Sequence, residues 1–546
     1  MASALNSGEI EQLRQQYAAH PAAPGVAARK QLAERVARSG NRPIDWLNLA
    51  FERFSAFEFG SAHQALDQVI ALDPRLLAAQ WLRFQYPEHL SPASASEAAA
   101  YAERWDRGLA TFERLDWSTA QNREQIWGCV GSSTAFYRHY LGDVTAEQRR
   151  YGALLARMMS ALVGPLPINP NTSKRPRVVF CSTHFYDHTV ARLFLPLIES
   201  LDPDEFELHV LHLGPEYDAW TQRAERLANF HRGERPAPDW MRLILSLQAD
   251  AVVYLDLGMH PLTLALAALR LAPVQAMLWG HPVTTGLPSL DYVLSPDLME
   301  PTNGAEHYSE TLVRLPGLGH GLEPPDSGQL SVTATATGSA NPLGQGANGQ
   351  LNLLCAQSVF KLMPEQDVLF ARILQRLPMA HLHLIPHQDA GVRDWLAARL
   401  QSALAGQGVQ DGSARVHLHA YRPLPEFHQL AAQCQLNIDS VGWSGGMSSL
   451  DILGLGVATI SLQGATMRER QTAALLHELG AGECIATNAD DFVEKVIALA
   501  QDDAARVGLR QKMLAERHKL FADQRTALGL SDFLRQSIAD ARSGQC

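Results

Sequence analysis

The stretch Asp439-Ser-Val-Gly-Trp-Ser-Gly-Gly-Met-Ser-Ser-Leu-Asp-Ile-Leu-Gly-Leu-Gly456 decides how this chain is read. An apolar run ends at Asp439, a loop of small residues follows through Ser444, Gly445 and Gly446, and a helical pattern opens near Ser448. The first N–H groups of a helix have no partner inside it, and with the helix dipole they favour an anion such as phosphate. The two glycines permit close backbone approach, and Asp451 falls in the opening turns, where its carboxylate can bond a ribose hydroxyl. As pattern alone, an ordinary strand-to-helix turn explains the segment equally well.

Working outward, short apolar strands alternate with helices on both sides of this motif. Residues 351–355, 381–385, 416–419, 436–438 and 457–462 are predicted strands, and so, earlier in the chain, are 177–181, 206–213, 251–255 and 274–279. Strands alternating with amphipathic helices denote parallel βαβ units. Two such lobes in tandem, at 172–326 and 351–546, place a ligand cleft between them. The stretch 327–350, rich in Ser, Thr, Gly, Gln and Asn and without charge, is read as a flexible linker. The helical segment 490–536 is long enough to cap one lobe and return to the other.

Residues 1–165 carry helical periodicity with few β-branched runs and are read as a helical domain. Trp46, Leu49, Ala50, Ala62, Leu66 and Pro74 fall close to tetratricopeptide spacing, in which small residues let two antiparallel helices approach and proline ends the second. The bland alternative is a plain helical hairpin.

A chain of 546 residues corresponds to about three domains. Hydrophobic residues make up 46%, enough for several cores. The balance of 46 basic against 57 acidic residues, a net charge of −11, argues against general nucleic-acid binding by counterion release. The six cysteines include no C-x-x-C pair, and no His, Cys and carboxylate cluster has metal-ligand spacing, so neither a disulfide framework nor a metal is expected. Charges in the first thirty residues and the lack of a long uninterrupted apolar run predict a soluble, cytoplasmic protein with no membrane span.

Two motifs are set aside. Gly344-x-Gly346-x-x-Gly349 matches the dinucleotide fingerprint in letters, but it lies in the linker and precedes a strand where the fingerprint needs a helix. Asp202-Pro-Asp204 is better read as a solvated turn than as a metal pair. More informative are the strand exits. Gln357-Ser358-Val-Phe-Lys361 follows the first strand of the second lobe, where Lys361 can neutralise a leaving diphosphate. In the first lobe, His184-Phe-Tyr-Asp-His188 and Trp279-Gly-His-Pro-Val-Thr-Thr-Gly286 stand at strand ends that face a cleft.

Together these segments resemble the O-GlcNAc transferase family of glycosyltransferases, in particular its bacterial SPINDLY-like members. The stretches that carry the likeness include His188-Thr-Val-Ala-Arg-Leu, Leu271 to Gly286, Asp291-Tyr292, Tyr308 to Pro316, Gln357 to Lys361, Trp443-Ser-Gly-Gly and Gly464-Ala-Thr-Met-Arg-Glu-Arg470. The resemblance implies a GT-B fold and an inverting, metal-independent transfer of a sugar, typically from UDP-GlcNAc, to Ser or Thr of proteins. No cofactor is implied beyond the nucleotide sugar itself. By motif position it implies His188 as general base or sugar-orienting group and Lys361 as the diphosphate lysine. Gln357, Ser358, Gly445, Gly446, Met447, Ser448, Ser449 and Asp451 would line the donor, and Tyr421, Arg422 and Pro423 the nucleobase. His260, His281, Pro282, Thr284 and Thr285 would form the sugar and acceptor pocket.

Met447 stands where relatives commonly carry a hydrogen-bonding residue, and Pro261 where many have Thr. Fucosyl or glucosyl transfer, or a non-catalytic scaffold keeping the fold, are the alternatives. The implied partner is a protein acceptor, of the bacterial surface or flagellar kind in relatives, and an exposed face of the helical domain leaves room for a homo-oligomer.

Overall fold

The computed structural model describes residues 7–19, 26–169, 171–227, 229–324, 350–409 and 411–544. Most of the predicted linker, and with it the Gly344-x-Gly346-x-x-Gly349 motif, lies outside the described residues. The chain divides into two compact units, one formed by Met1–Leu141 with Arg157–Leu162 and the other by Gly142–Ala156 with Val163–Cys546.

The first unit is helical. Helices Pro43–Ser55 and Phe59–Leu72 pair through the small and apolar positions picked out by the repeat spacing, since Leu49, Ala50, Ala62 and Leu66 are fully buried. Aromatic packing extends this core: Trp81, Phe84, Trp105 and Phe112 meet edge-on or tilted with centroids 5.0–5.9 Å apart, a geometry that adds quadrupole attraction to area burial.

The second unit contains two parallel sheets. In the first, β1 (Arg177–Ser182), β2 (Glu207–His212), β3 (Asn229–Arg232), β4 (Ala251–Tyr254), β5 (Val274–Leu278), β6 (Tyr292–Pro296) and β7 (Thr311–Leu315) lie in the order β3-β2-β1-β4-β5-β6-β7. The second holds β8 (Leu351–Cys355), β9 (Ala380–Leu384), β10 (Val416–Leu418), β11 (Leu436–Ile438), β12 (Thr459–Leu462) and β13 (Ile485–Ala486), in the order β10-β9-β8-β11-β12-β13. Helices cover both faces, so central strands read as unbroken apolar runs: Val178, Val179, Phe180 and Cys181 are all fully buried.

Four strands, β3, β6, β7 and β13, were not among the predicted ones. β3 and β7 are edge strands and β13 has two residues, so none of the three buries a continuous apolar run. β6 is interior but reads Tyr-Val-Leu-Ser-Pro, with the apolar run cut short.

Two domain boundaries differ from the sequence reading. Residues 142–156, assigned above to the helical domain, group with the sheets. Gln148 and Gly152 of helix Thr145–Val163 press on Gly286, and a Cβ on either glycine would collide with backbone. Gly286 also has φ of 71°, a conformation in which side chains are strained. The final segment, read as one helical stretch, is three helices, Ala489–Gln501, Asp503–Glu516 and Gln524–Ser543. The last of these belongs to the first lobe, not to the lobe whose strands it follows. Phe533 packs edge-on against Tyr292 at 5.2 Å, Thr526 donates to the Pro316 carbonyl at 2.7 Å, and Arg542 holds Asp250 through two bonds of 2.8 and 2.9 Å.

Candidate active site

In each lobe the strand order reverses beside the first strand. β2 and β4 flank β1, and β9 and β11 flank β8. At such a switch point the loops leaving the strands diverge to opposite faces and open a crevice.

In the second lobe the crevice is organised by Asp439. Its buried carboxylate accepts from the N–H groups of Ser440 and Gly445 at 2.9 and 2.8 Å and from the hydroxyls of Ser444 and Ser461 at 2.7 and 2.8 Å. The loop is therefore wound around one anion. Helix Met447–Gly454 then starts at Gly446 with no side-chain cap, so its first N–H groups are left to an external acceptor. A Cβ at Gly445 would meet Ser449 Oγ and Gln357 Nε2, which explains the glycine in steric terms.

Lys361 reaches the same loop from the exit of β8, with Nζ 3.2 Å from the Ser444 carbonyl and 3.3 Å from Gln357 Oε1. Gln357 Nε2 in turn donates to Ser448 Oγ at 3.0 Å. Lys361 has no ion-pair partner among the described residues, and desolvation lowers its pKa to about 8 despite the opposing pull of Asp439. Ser358 caps the short turn Val359–Lys361, Ser449 is buried against Thr472 at 2.8 Å, and Met447 is largely buried. Tyr421 is 75% exposed, Arg422 sits 3.4 Å from His419, and Pro423 opens helix Leu424–Gln433.

In the first lobe His188 is the N-cap of helix Thr189–Glu199, its Nδ1 accepting the Val190 N–H at 3.2 Å. That bond requires an unprotonated Nδ1, which puts the proton of the neutral ring on Nε2. Burial, with His184 as a second cause, lowers the pKa of His188 to about 4. His260 caps helix Pro261–Ala267 in the same way, through Leu262 N–H at 3.1 Å.

One helical turn beyond His188, Arg192 bonds Asp451 at 3.2 Å, and His428 Nε2 lies 3.7 Å from the same carboxylate oxygen. Arg192 thereby ties the histidine-bearing helix of one lobe to the glycine loop helix of the other. A second link is His281, whose ring lies 5.2 Å from that of Trp443. Burial, then the charges of Arg468 and Lys361, lower the His281 pKa to about 3.

The structure thus brings His188, His281, Gln357, Lys361, Ser448 and Asp451 to one interlobe region. Thr284 and Thr285 lie apart in their bonding: Glu310 accepts from the Thr284 hydroxyl at 2.6 Å and from the Thr285 N–H at 2.8 Å. Pro282 and Thr284 line a small cleft with Asp143, His307 and Arg468. Sequence reasoning did not assign Arg192, Asp256, Asp439 or Glu310. Arg192 lay inside a quoted motif, and Asp439 stood at its edge, but their partners are distant in sequence.

Two switch-point lobes joined by a returning C-terminal helix and carrying a phosphate-type loop in the second define the GT-B class of fold. The full-length likeness agrees: a mutant of the Thermobaculum terrenum O-GlcNAc transferase superposes over 99% of both chains with a TM-score of 0.75 at 23% identity. Residues 352–527 match the family described as Glycosyl transferase family 41.

Among curated proteins, the chain is 25% identical over 353 residues to SPINDLY of Solanum lycopersicum, whose name describes a UDP-N-acetylglucosamine–peptide N-acetylglucosaminyltransferase. That match covers 63% of this chain and 36% of the relative. It is also 25% identical over 279 residues to the UDP-glucose:protein N-beta-glucosyltransferase of Actinobacillus pleuropneumoniae serotype 5b, covering 50% of this chain and 42% of the relative. The chain is homologous to the O-GlcNAc transferase and SPINDLY-like proteins of family 41. It spans about two fifths of the length of these curated relatives. Among the described residues no helix is long and apolar enough to cross a membrane, and no group of three or more His, Cys, Asp or Glu has the arrangement of a metal site.

Proposed function

We propose that the chain is an inverting protein O-glycosyltransferase that moves a sugar, GlcNAc from UDP-GlcNAc in the first instance, to Ser or Thr of a protein acceptor. The observation that carries this reading is Lys361: a cation without a carboxylate partner among the described residues, set beside the uncapped helix Met447–Gly454 at the switch point of the second lobe. Charge that develops on a departing diphosphate is met there by preorganised N–H dipoles and an ammonium, which do not need to reorganise during the reaction. Asp451 is assigned to the ribose in this reading, and Gln357 bonds both Lys361 and Ser448. No residue in this account requires a metal or a further cofactor.

The homology to a protein named as a glucosyltransferase keeps UDP-glucose as the second donor to test. The experiment is a panel of UDP-GlcNAc, UDP-glucose and GDP-fucose, read by nucleotide release and by intact mass of candidate acceptor proteins. Transfer from one donor that persists in EDTA is expected. A strict need for added divalent metal contradicts the site, and the absence of nucleotide binding by calorimetry would instead indicate a scaffold.

A further inference from the structure

The switch point of the first lobe holds a pair that the account above does not use. His184 leaves β1 and Asp256 leaves β4, 72 residues apart in sequence, and His184 Nδ1 makes a short hydrogen bond with Asp256 Oδ2. Asp256 is fully buried, and its other carboxylate oxygen has no partner. His184 keeps 14% of its side chain exposed, so the pair has a dry end and a wet end. A buried carboxylate that accepts Nδ1–H fixes the tautomer in which Nε2 carries a lone pair, and it stabilises the imidazolium formed when that lone pair takes a proton.

The neighbouring His188 has the opposite polarity. Its Nδ1 lone pair is committed to the Val190 N–H, so its Nε2 is a donor. The two rings stack at 4.3 Å. One presents an acceptor and the other a donor, at the same end of helix Thr189–Glu199, which Arg192 ties to Asp451.

Resting on the proposed function, we infer that His184, oriented by Asp256, is the general base for the acceptor hydroxyl, and that His188 serves as a hydrogen-bond donor to the sugar. The hydroxyl proton passes to His184 Nε2 as the hydroxyl oxygen bonds the anomeric carbon. The bond from that carbon to the phosphate oxygen breaks, and its electron pair leaves on the diphosphate facing Lys361. The proton on His184 is then lost to solvent through its exposed edge. The titratable groups that face His184 are Asp256 on the β4 exit, His188 and Tyr186 on its own loop, His212 at the end of β2 and His260 at the next helix start. Burial lowers the pKa of His188, His212 and His260.

The test uses the full chain, with the donor the wild type turns over and an immobilised Ser/Thr peptide array as acceptor. His184→Gln and Asp256→Asn are each expected to lose roughly 10²–10⁴-fold in kcat, the range for a positioned acid or base, while UDP affinity by calorimetry and the thermal unfolding midpoint of His184→Gln stay at wild-type values. Imidazole restores turnover to His184→Ala. Wild-type turnover in His184→Gln, or a loss explained by weaker UDP binding, overturns the inference and leaves the proposed function standing. Failure of the wild type to transfer from any donor removes both. Should Asp256→Asn unfold, imidazole rescue of His184→Ala still decides the matter.

Discussion

The two switch points have the same topology and opposite chemistry. In the first lobe the loops after β1 and β4 present imidazoles, two of which, His188 and His260, are held neutral by burial and by capping helices with their Nδ1 atoms. In the second lobe the loops after β8 and β11 present an ammonium, glycines and free N–H groups around a single satisfied carboxylate, Asp439. On the function proposed above, one crevice exchanges a proton and the other holds an anion, and the residues that separate the two roles stand on the loops leaving the strands.

That division is open to test. At the second-lobe switch point the largest effect is expected from Lys361→Ala: a loss on the order of 10²–10³ in kcat, as for removal of one preorganised donor from an oxyanion site, with an unchanged unfolding midpoint. Steady-state kinetics at saturating donor measure it, and undiminished kcat in that variant would dissolve the contrast between the lobes.

A smaller change is expected from Asp451→Asn. Weakening a charge-assisted bond to ribose costs about tenfold in UDP affinity, since hydrogen bonds to charged groups contribute roughly 1.5–3 kcal/mol. Calorimetry with UDP alone measures it, and unaltered affinity would leave Asp451 with Arg192 as a purely structural partner.

A perturbation that needs no substitution is pH. The Lys361 pKa of about 8 lies below the 10.5 of the unfolded chain, so the native state gives up its proton first as pH rises. Activity and stability then diverge. Between about pH 8 and 10.5 the unfolded state binds more protons, and fold stability contributed by this group rises with pH. Over the same window kcat/KM falls, to about half at pH 8 and about tenfold per unit beyond, because the neutral amine no longer meets the developing charge. Bound donor, being anionic, favours the ammonium, so the basic limb of kcat lies at higher pH than that of kcat/KM. A basic limb retained in Lys361→Ala would assign it to another group.

The anion-holding half was the more legible in sequence. Its signal is local: Gly445, Gly446, Ser448 and Asp451 fall within seven residues, and the strand before and helix after them are continuous apolar patterns. The proton-exchanging half depends on Asp256, 72 residues from His184, and on which nitrogen of His188 faces Val190. Neither is written in spacing. The same contrast governs the strands. β1 and β4 are interior and nearly unbroken apolar runs, and β8 and β11 are interior and mostly apolar, whereas β3 and β7 are edges whose pairing is decided by their neighbours. Thr284 and Thr285, read as pocket residues in sequence, are bonded to Glu310, a partner 25 or 26 residues away that spacing does not announce, and the neighbouring Gly286 makes room for helix Thr145–Val163.

The returning helix Gln524–Ser543 has a consequence for synthesis. The strands of the first lobe end at Leu315, but Tyr292, Pro316 and Asp250 each take one of their partners from this helix, Phe533, Thr526 and Arg542 respectively. Domains emerging from a ribosome ordinarily fold in order from the N-terminus. Here the earlier lobe waits, one wall missing, until the helix that follows the later lobe has been made. Loss of helix Gln524–Ser543 therefore injures the lobe that was translated first.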